Sequence, residues 1–203
     1  MTVPFDHLSL LIDTGRLRRC VKAIARQIQR DFSALPEAEE PILVVVLKGG
    51  ALFGMDLLRA LRRPMPVVFV SRTGDLDAAI TPDDQALLRG RHLIVVDALM
   101  DSGNSLQHLH LWLQKRQPLT IRLAVLLHKT VGHAEPLVVH YLGYEVPDVR
   151  LVGYGLDEEE NFRGLPAVYA WWDGIDQPAS PPQSASAGKQ TKKKKWNPDE
   201  PRA

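Results

Sequence analysis

A single cysteine, Cys20, stands in a chain of 203 residues, which excludes an internal disulfide and leaves no partner for a Cys-rich metal site. Its place beside Leu17, Val21 and Ile24 at helical spacing makes it a small core residue. Long apolar runs are also missing. Nothing approaches the ~18 consecutive apolar residues of a membrane span, and no basic segment followed by an apolar run opens the chain. The expectation is a cytoplasmic protein without membrane contact. No internal repeat is visible, and neither sign of charge dominates: 25 Lys and Arg face 24 Asp and Glu. That balance alone suggests no polyanion partner.

The balance hides an uneven distribution. Residues 177–203 hold six Lys or Arg and two acids, so this segment is +4 and the remainder is −3. Pro178 to Gly188 is rich in Pro, Ser and Ala and too poor in apolar residues to bury a face. Lys192 to Lys195, followed by Trp196, reads as a solvated, solubilising run rather than a nucleic-acid contact. We therefore expect one domain over 1–176 and a disordered basic tail over 177–203.

Within the domain, Asp13 or Thr14 can cap a helix that carries Leu17, Cys20, Val21, Ile24 and Ile28 on one stripe. Ile42 to Leu47 is an uninterrupted apolar strand, followed by Lys48-Gly49-Gly50 and a helix with Leu52, Phe53, Leu57 and Leu58 on one side. Val67 to Val70 is a strand. The polar stretch from Ser71 to Arg91 reads as a loop. Further strands are expected over 121–127, 137–144, 150–154 and 167–172, with Trp171 and Trp172 closing the core. Between them, Leu106, Leu109, Trp112 and Leu113 form the buried face of a helix that turns His108 and His110 outward. Strands alternating with helices, then strands in succession, predict an α/β fold: a mainly parallel sheet flanked by helices with a small antiparallel portion.

The most informative stretch runs from His92 to Leu106. Leu93 to Val96 has the composition of a parallel strand covered on both faces. Asp97 and Asp101 follow, then Ser102, Gly103, Asn104 and Ser105 at the opening of a helix. Ligands bind at the carboxyl edge of such sheets, and N–H groups at a helix start are donors for a phosphate. Gly103 permits a positive φ and close approach of backbone to ligand. Carboxylates just ahead of a phosphate loop suit sugar hydroxyls, a hydrated Mg²⁺ or a proton. Lys48-Gly49-Gly50 makes a second anion-binding corner of the same strand-turn-helix kind.

Together these blocks resemble the hypoxanthine-guanine phosphoribosyltransferases of the type I phosphoribosyltransferase fold, and the likeness runs from Leu11 to Tyr169. The resemblance implies that Lys48 and Gly49 form a pyrophosphate loop with a cis peptide before the lysine. It implies that Asp97 holds ribose hydroxyls and metal, that Asp101 moves a proton at the purine ring, and that Ser102, Gly103, Asn104 and Ser105 hold the 5'-phosphate. Lys129, Arg150 and Leu151 would meet the purine, Arg163 the pyrophosphate, and Asp157 the Mg²⁺. The implied substrates are phosphoribosyl pyrophosphate and a 6-oxopurine (hypoxanthine, guanine or xanthine), the implied cofactor Mg²⁺, and the implied assembly a homodimer or homotetramer.

Three positions depart from that pattern. Ala98 stands where a second carboxylate is expected, Arg150 stands where an aromatic ring stacks on the purine, and the stretch after Ser71 is shorter than the family's lid, with Arg72 in place of a Tyr. A second reading is therefore a divergent relative that binds phosphoribosyl pyrophosphate or nucleotide with little turnover.

Overall fold

The computed structural model describes residues 7–36, 39–71, 75–129 and 137–172, together with the backbone of 186–187. The chain opens with β1 (Leu8–Ile12), which the sequence pattern does not announce, and α1 (Thr14–Asp31). Asp13 caps α1 by accepting from the Arg16 N–H at 2.9 Å, and Leu17, Val21, Ile24 and Ile28 form its buried stripe. Then come β2 (Ile42–Leu47), α2 (Ala51–Leu61) and β3 (Val67–Ser71).

The stretch expected to be a loop folds as two short helices, α3 (Leu76–Ala79) and α4 (Pro82–Leu88). Its polar residues are caps: Asp75 accepts from the Asp77 N–H, Thr81 accepts from the Asp84 N–H, and Pro82 sits in the first turn. Leu76, Ile80 and Leu88 are the buried anchors that these caps serve. Arg72, the other residue at issue here, lies outside the described residues.

β4 (His92–Met100) runs on through Asp97, Ala98 and Leu99, past the apolar run that ends at Val96, and α5 (Asn104–Gln114) follows. β5 (Thr120–Lys129) precedes β6 (Tyr141–Val146), which begins later than the expected Leu137 because pairing with β5 starts at Tyr141. β7 (Arg150–Val152) and β8 (Val168–Trp171) complete the body. β9 (Ser186–Ala187), within the segment read as linker, pairs antiparallel with Tyr144 and Glu145.

The main sheet has the order β3-β2-β4-β5-β6-β9, with the first five strands parallel, and a small antiparallel sheet has the order β1-β8-β7. This is the expected α/β arrangement. Alternate residues of β2 face opposite layers: Leu43 and Val45 pack with α1 and α2, and Ile42, Val44 and Val46 pack with α4 and α5. Coverage on both faces is why the strand is apolar without interruption. No helix among the described residues is long and apolar enough to cross a membrane.

α1 approaches β6 at Gly143, where a Cβ would stand 2.3 Å from the Leu126 carbonyl oxygen and 3.0 Å from Cys20 Sγ. Burial there pushes the Cys20 thiol pKa up to about 12, so it packs as a neutral, unreactive group. Gly143→Ala should destabilise the fold by roughly 1–3 kcal/mol through overpacking, read as a lower denaturation midpoint at unchanged m-value. An unaltered midpoint would mean that β5 and β6 part freely.

Candidate active site

Parallel pairing of β2, β4 and β5 brings the carboxyl ends of three strands together. After β2, the Leu47–Lys48 peptide is cis. Gly50 then lies on β4: a Cβ here would be 2.6 Å from the Val46 oxygen, 3.0 Å from the Val96 oxygen and 3.3 Å from Asp97 Cα. Only glycine lets the Lys48 turn sit this close to the end of β4. A second main-chain contact comes from the far side. Gly155 has φ 98° and would place a Cβ 2.2 Å from the Gly49 oxygen. The Lys48 turn is thus held between β4 and the segment after β7.

After β4, Gly103 adopts φ 82° and α5 starts without a side-chain cap. Its first N–H groups therefore have no capping side chain, as an anion site requires. Ser102, Asn104 and Ser105 are exposed around this turn. Asp97, by contrast, is 1% exposed, and Ala98 beside it is fully buried in the core under α1 and α2. Of the two carboxylates that follow the apolar run of β4, the one open to a ligand is Asp101, whose side chain is 56% exposed. Leu151 is buried in the same core, so it can meet a base only through its main chain.

The four cations that the sequence assigns to substrate are all paired with carboxylates. Lys129, almost wholly buried, lies 3.0 Å from Asp101 Oδ2 and 3.1 Å from Asp148 Oδ1. Burial alone would lower the Lys129 pKa; hydrogen bonds and charge from Asp101 and Asp148 more than reverse this and raise it. Lys129 is therefore an ammonium throughout the neutral range. Arg150 reaches Glu158 at 2.7 Å. Arg163 meets Asp157 at 2.8 Å, Glu160 at 3.1 Å and the Gly155 carbonyl at 2.9 Å, while Lys48 meets the same Glu160 oxygen at 3.1 Å. Hydrogen bonds from Lys48 and Arg163 hold the Glu160 carboxyl below its ordinary range.

Asp148, Glu158 and Glu160 are thus site residues that the sequence reading does not single out. The acidic run from Asp157 to Glu160 is a visible signal, but which cation each carboxylate meets depends on the turn between Tyr154 and Phe162, where Tyr154, Glu159, Glu160 and Phe162 all have positive φ.

Residues 11–159 match the phosphoribosyl transferase domain family. The hypoxanthine-guanine phosphoribosyltransferase of Aquifex aeolicus is 35% identical over 170 residues, spanning 80% of this chain and 93% of that one. The chain belongs to the phosphoribosyltransferase family. A crystal structure of a hypoxanthine-guanine phosphoribosyltransferase from Bacillus anthracis superposes with a TM-score of 0.72 at 31% identity, covering 80% of this chain and 95% of that one. The Leishmania tarentolae enzyme in complex with GMP superposes at 0.76 with 25% identity, covering 84% and 99%.

For a phosphoribosyltransferase, a single carboxylate bridging Lys48 and Arg163 competes with any anion bound between them. Glu160→Gln should therefore bind inorganic pyrophosphate more tightly, by roughly two- to fivefold at low salt for an exposed pair. Calorimetric titration of both proteins checks this; weaker binding by the variant would show that Glu160 organises the two cations instead of occupying them.

Proposed function

We propose that the protein transfers ribose 5-phosphate from phosphoribosyl pyrophosphate to a 6-oxopurine, giving the nucleoside monophosphate and pyrophosphate in purine salvage. The observation that carries this reading is the contact between Lys129 and Asp101 at 3.0 Å. A 6-oxopurine carries O6 and N7 side by side on one edge. A buried ammonium next to an open carboxylate matches that edge: Lys129 donates to O6, and Asp101 accepts the proton from N7–H. The N9 lone pair forms the bond to the anomeric carbon as the bond to pyrophosphate breaks, and the electron pair leaves with pyrophosphate.

In this reading the 5'-phosphate sits on Ser102, Gly103, Asn104 and Ser105, and Lys48, Gly49 and Arg163 receive the pyrophosphate. The ribose hydroxyls are assigned to Asp97, which reaches them only if the residues covering it part on binding. Arg150 lies against the base, since a guanidinium plane can stack on a purine ring, and Leu151 offers its main chain.

Asp157 fits Mg²⁺, which takes one or two carboxylates and completes its shell with substrate phosphates and water, and Asp97 joins it only if the residues covering it part. Asp157, whose side chain is 29% exposed beside Arg163, and Asp97 would hold it. When bound, the ion neutralises charge on the departing pyrophosphate. A homodimer or homotetramer is part of the same proposal.

Ala98 and the covered Asp97 favour one other reading, a relative that binds phosphoribosyl pyrophosphate and turns it over weakly. Assaying pyrophosphate release with hypoxanthine, guanine and xanthine decides between the two; binding without release with all three bases supports the weaker enzyme.

Two substitutions test the assigned roles. Asp101→Asn should lower kcat by about 100-fold or more, as for a general base, with a much smaller change in the affinity for phosphoribosyl pyrophosphate. An undiminished kcat would remove Asp101 from proton transfer. Lys129 should disfavour adenine, whose 6-amino group offers a donor to a donor, at ~1–3 kcal/mol or roughly tenfold to a hundredfold. Specificity constants for hypoxanthine and adenine should therefore converge in Lys129→Ala. Arg150→Phe should shift preference from xanthine toward hypoxanthine; an unchanged ratio would mean that Arg150 does not face the base.

A further inference from the structure

Away from the carboxyl edge of the sheet, α1 and α2 line an open cleft of about 660 Å³, within the usual size of a small-molecule site. Arg18, Lys22 and Arg26 form one wall, at successive i, i+4 positions on α1. Arg59 and Arg62, at the end of α2, also line it. Arg18, Lys22, Arg26 and Arg62 have no ion-pair partner among the described residues. The one acid in the lining, Asp56, has both oxygens engaged: Oδ1 accepts from Arg59 at 2.5 Å and Oδ2 from the Tyr154 hydroxyl at 2.7 Å.

This charge is not what an ordinary solvated helix carries. α1 holds six Lys or Arg and a single acid, Asp31, although the domain as a whole is net negative. A solvated helix face gains from alternating signs, whereas like charges at i, i+4 each weaken the helix by a few tenths of a kcal/mol. The Arg18-Lys22-Arg26 row thus opposes helix stability on the face where the cleft lies.

We propose that this cleft binds a small ligand carrying several phosphate groups, of the nucleoside polyphosphate class, at a place distinct from the phosphoribosyl pyrophosphate site. Multiple guanidinium groups in one concave space suit clustered phosphates. Ala60, with the largely buried Val21 beside it, adds apolar surface for the rest of the ligand, while the Gln29 amide nitrogen donates to the Leu61 carbonyl at 2.8 Å. An extended single-stranded nucleic acid fits less well, because its binding sites stack bases on aromatic side chains, and the cleft lining has none.

The test is calorimetric titration of the full chain with inorganic tripolyphosphate, which should reveal two sites. Lys48→Ala should weaken the site at the sheet edge. The combined exchange Arg18→Gln, Lys22→Gln and Arg26→Gln should weaken the other by about tenfold or more, leaving kcat and the KM for phosphoribosyl pyrophosphate within about twofold. Gln keeps good helix propensity and removes the like-charge pairs, so the triple variant should unfold at or above the wild-type temperature. In a Lys48→Ala background, tripolyphosphate should raise the unfolding temperature while the cleft is intact and fail to do so once it is exchanged. Nucleoside triphosphates that bind more tightly than tripolyphosphate would extend the site to the nucleoside. Equal titrations for wild type and triple variant would overturn the proposal. So would displacement of tripolyphosphate by an oligonucleotide of equal phosphate content, or a changed oligomeric state in the triple variant, which would assign the charges to nucleic acid or to a subunit interface.

Discussion

The placing of this site depends on how closely the turn after β2 can approach β4. Parallel strands set ~4.8 Å apart leave little room for a connection to cross a neighbour's end. Gly50 makes the crossing possible because no side chain separates it from the main chain at Val96 and Asp97. With that contact in place, the Lys48 turn and the Asp101 to Ser105 loop open on the same edge. A side chain at position 50 would displace the Lys48 turn from β4, even though Gly50 itself carries no chemical group.

Electrostatics then links these loops. Lys48, Lys129, Arg150 and Arg163 are each answered by a carboxylate from their own surroundings. The exposed pairs contribute little stability on their own. On the proposed reading their effect falls on binding, where a phosphate would compete with Glu160 for Lys48 and Arg163. The Lys129 pairs differ because the ammonium is almost wholly buried between Asp101 and Asp148. Asp101 and Asp148 together compensate a poorly solvated charge and keep the group we assign to the base protonated.

The central architecture was legible because its signals are local. The apolar runs of β2, β4 and β5 and the glycine turns after β2 and β4 follow from composition, and the stripe of α1 follows from spacing. β1 was not legible: five residues with one clear apolar flank acquire strand character only through pairing with β8. The helices α3 and α4 were hidden because Asp75, Thr81 and Pro82 serve equally as loop residues and as caps, and buried Leu76, Ile80 and Leu88 decide the matter. At the site, the cations could be assigned by resemblance, whereas their carboxylate partners depend on a turn with positive φ at residues other than glycine. The burial of Asp97 was equally invisible, since it comes from β4 continuing three residues past it.

The contact of Gly155 with Gly49 joins two loops through main chain alone. Neither residue has a side chain that could change rotamer to absorb a displacement. Movement of the segment carrying Asp157 and Arg163 must therefore push on the turn carrying Lys48, and the reverse holds equally. The turn after β2 and the segment after β7 are thus coupled through main chain, with no side chain between them to take up a shift.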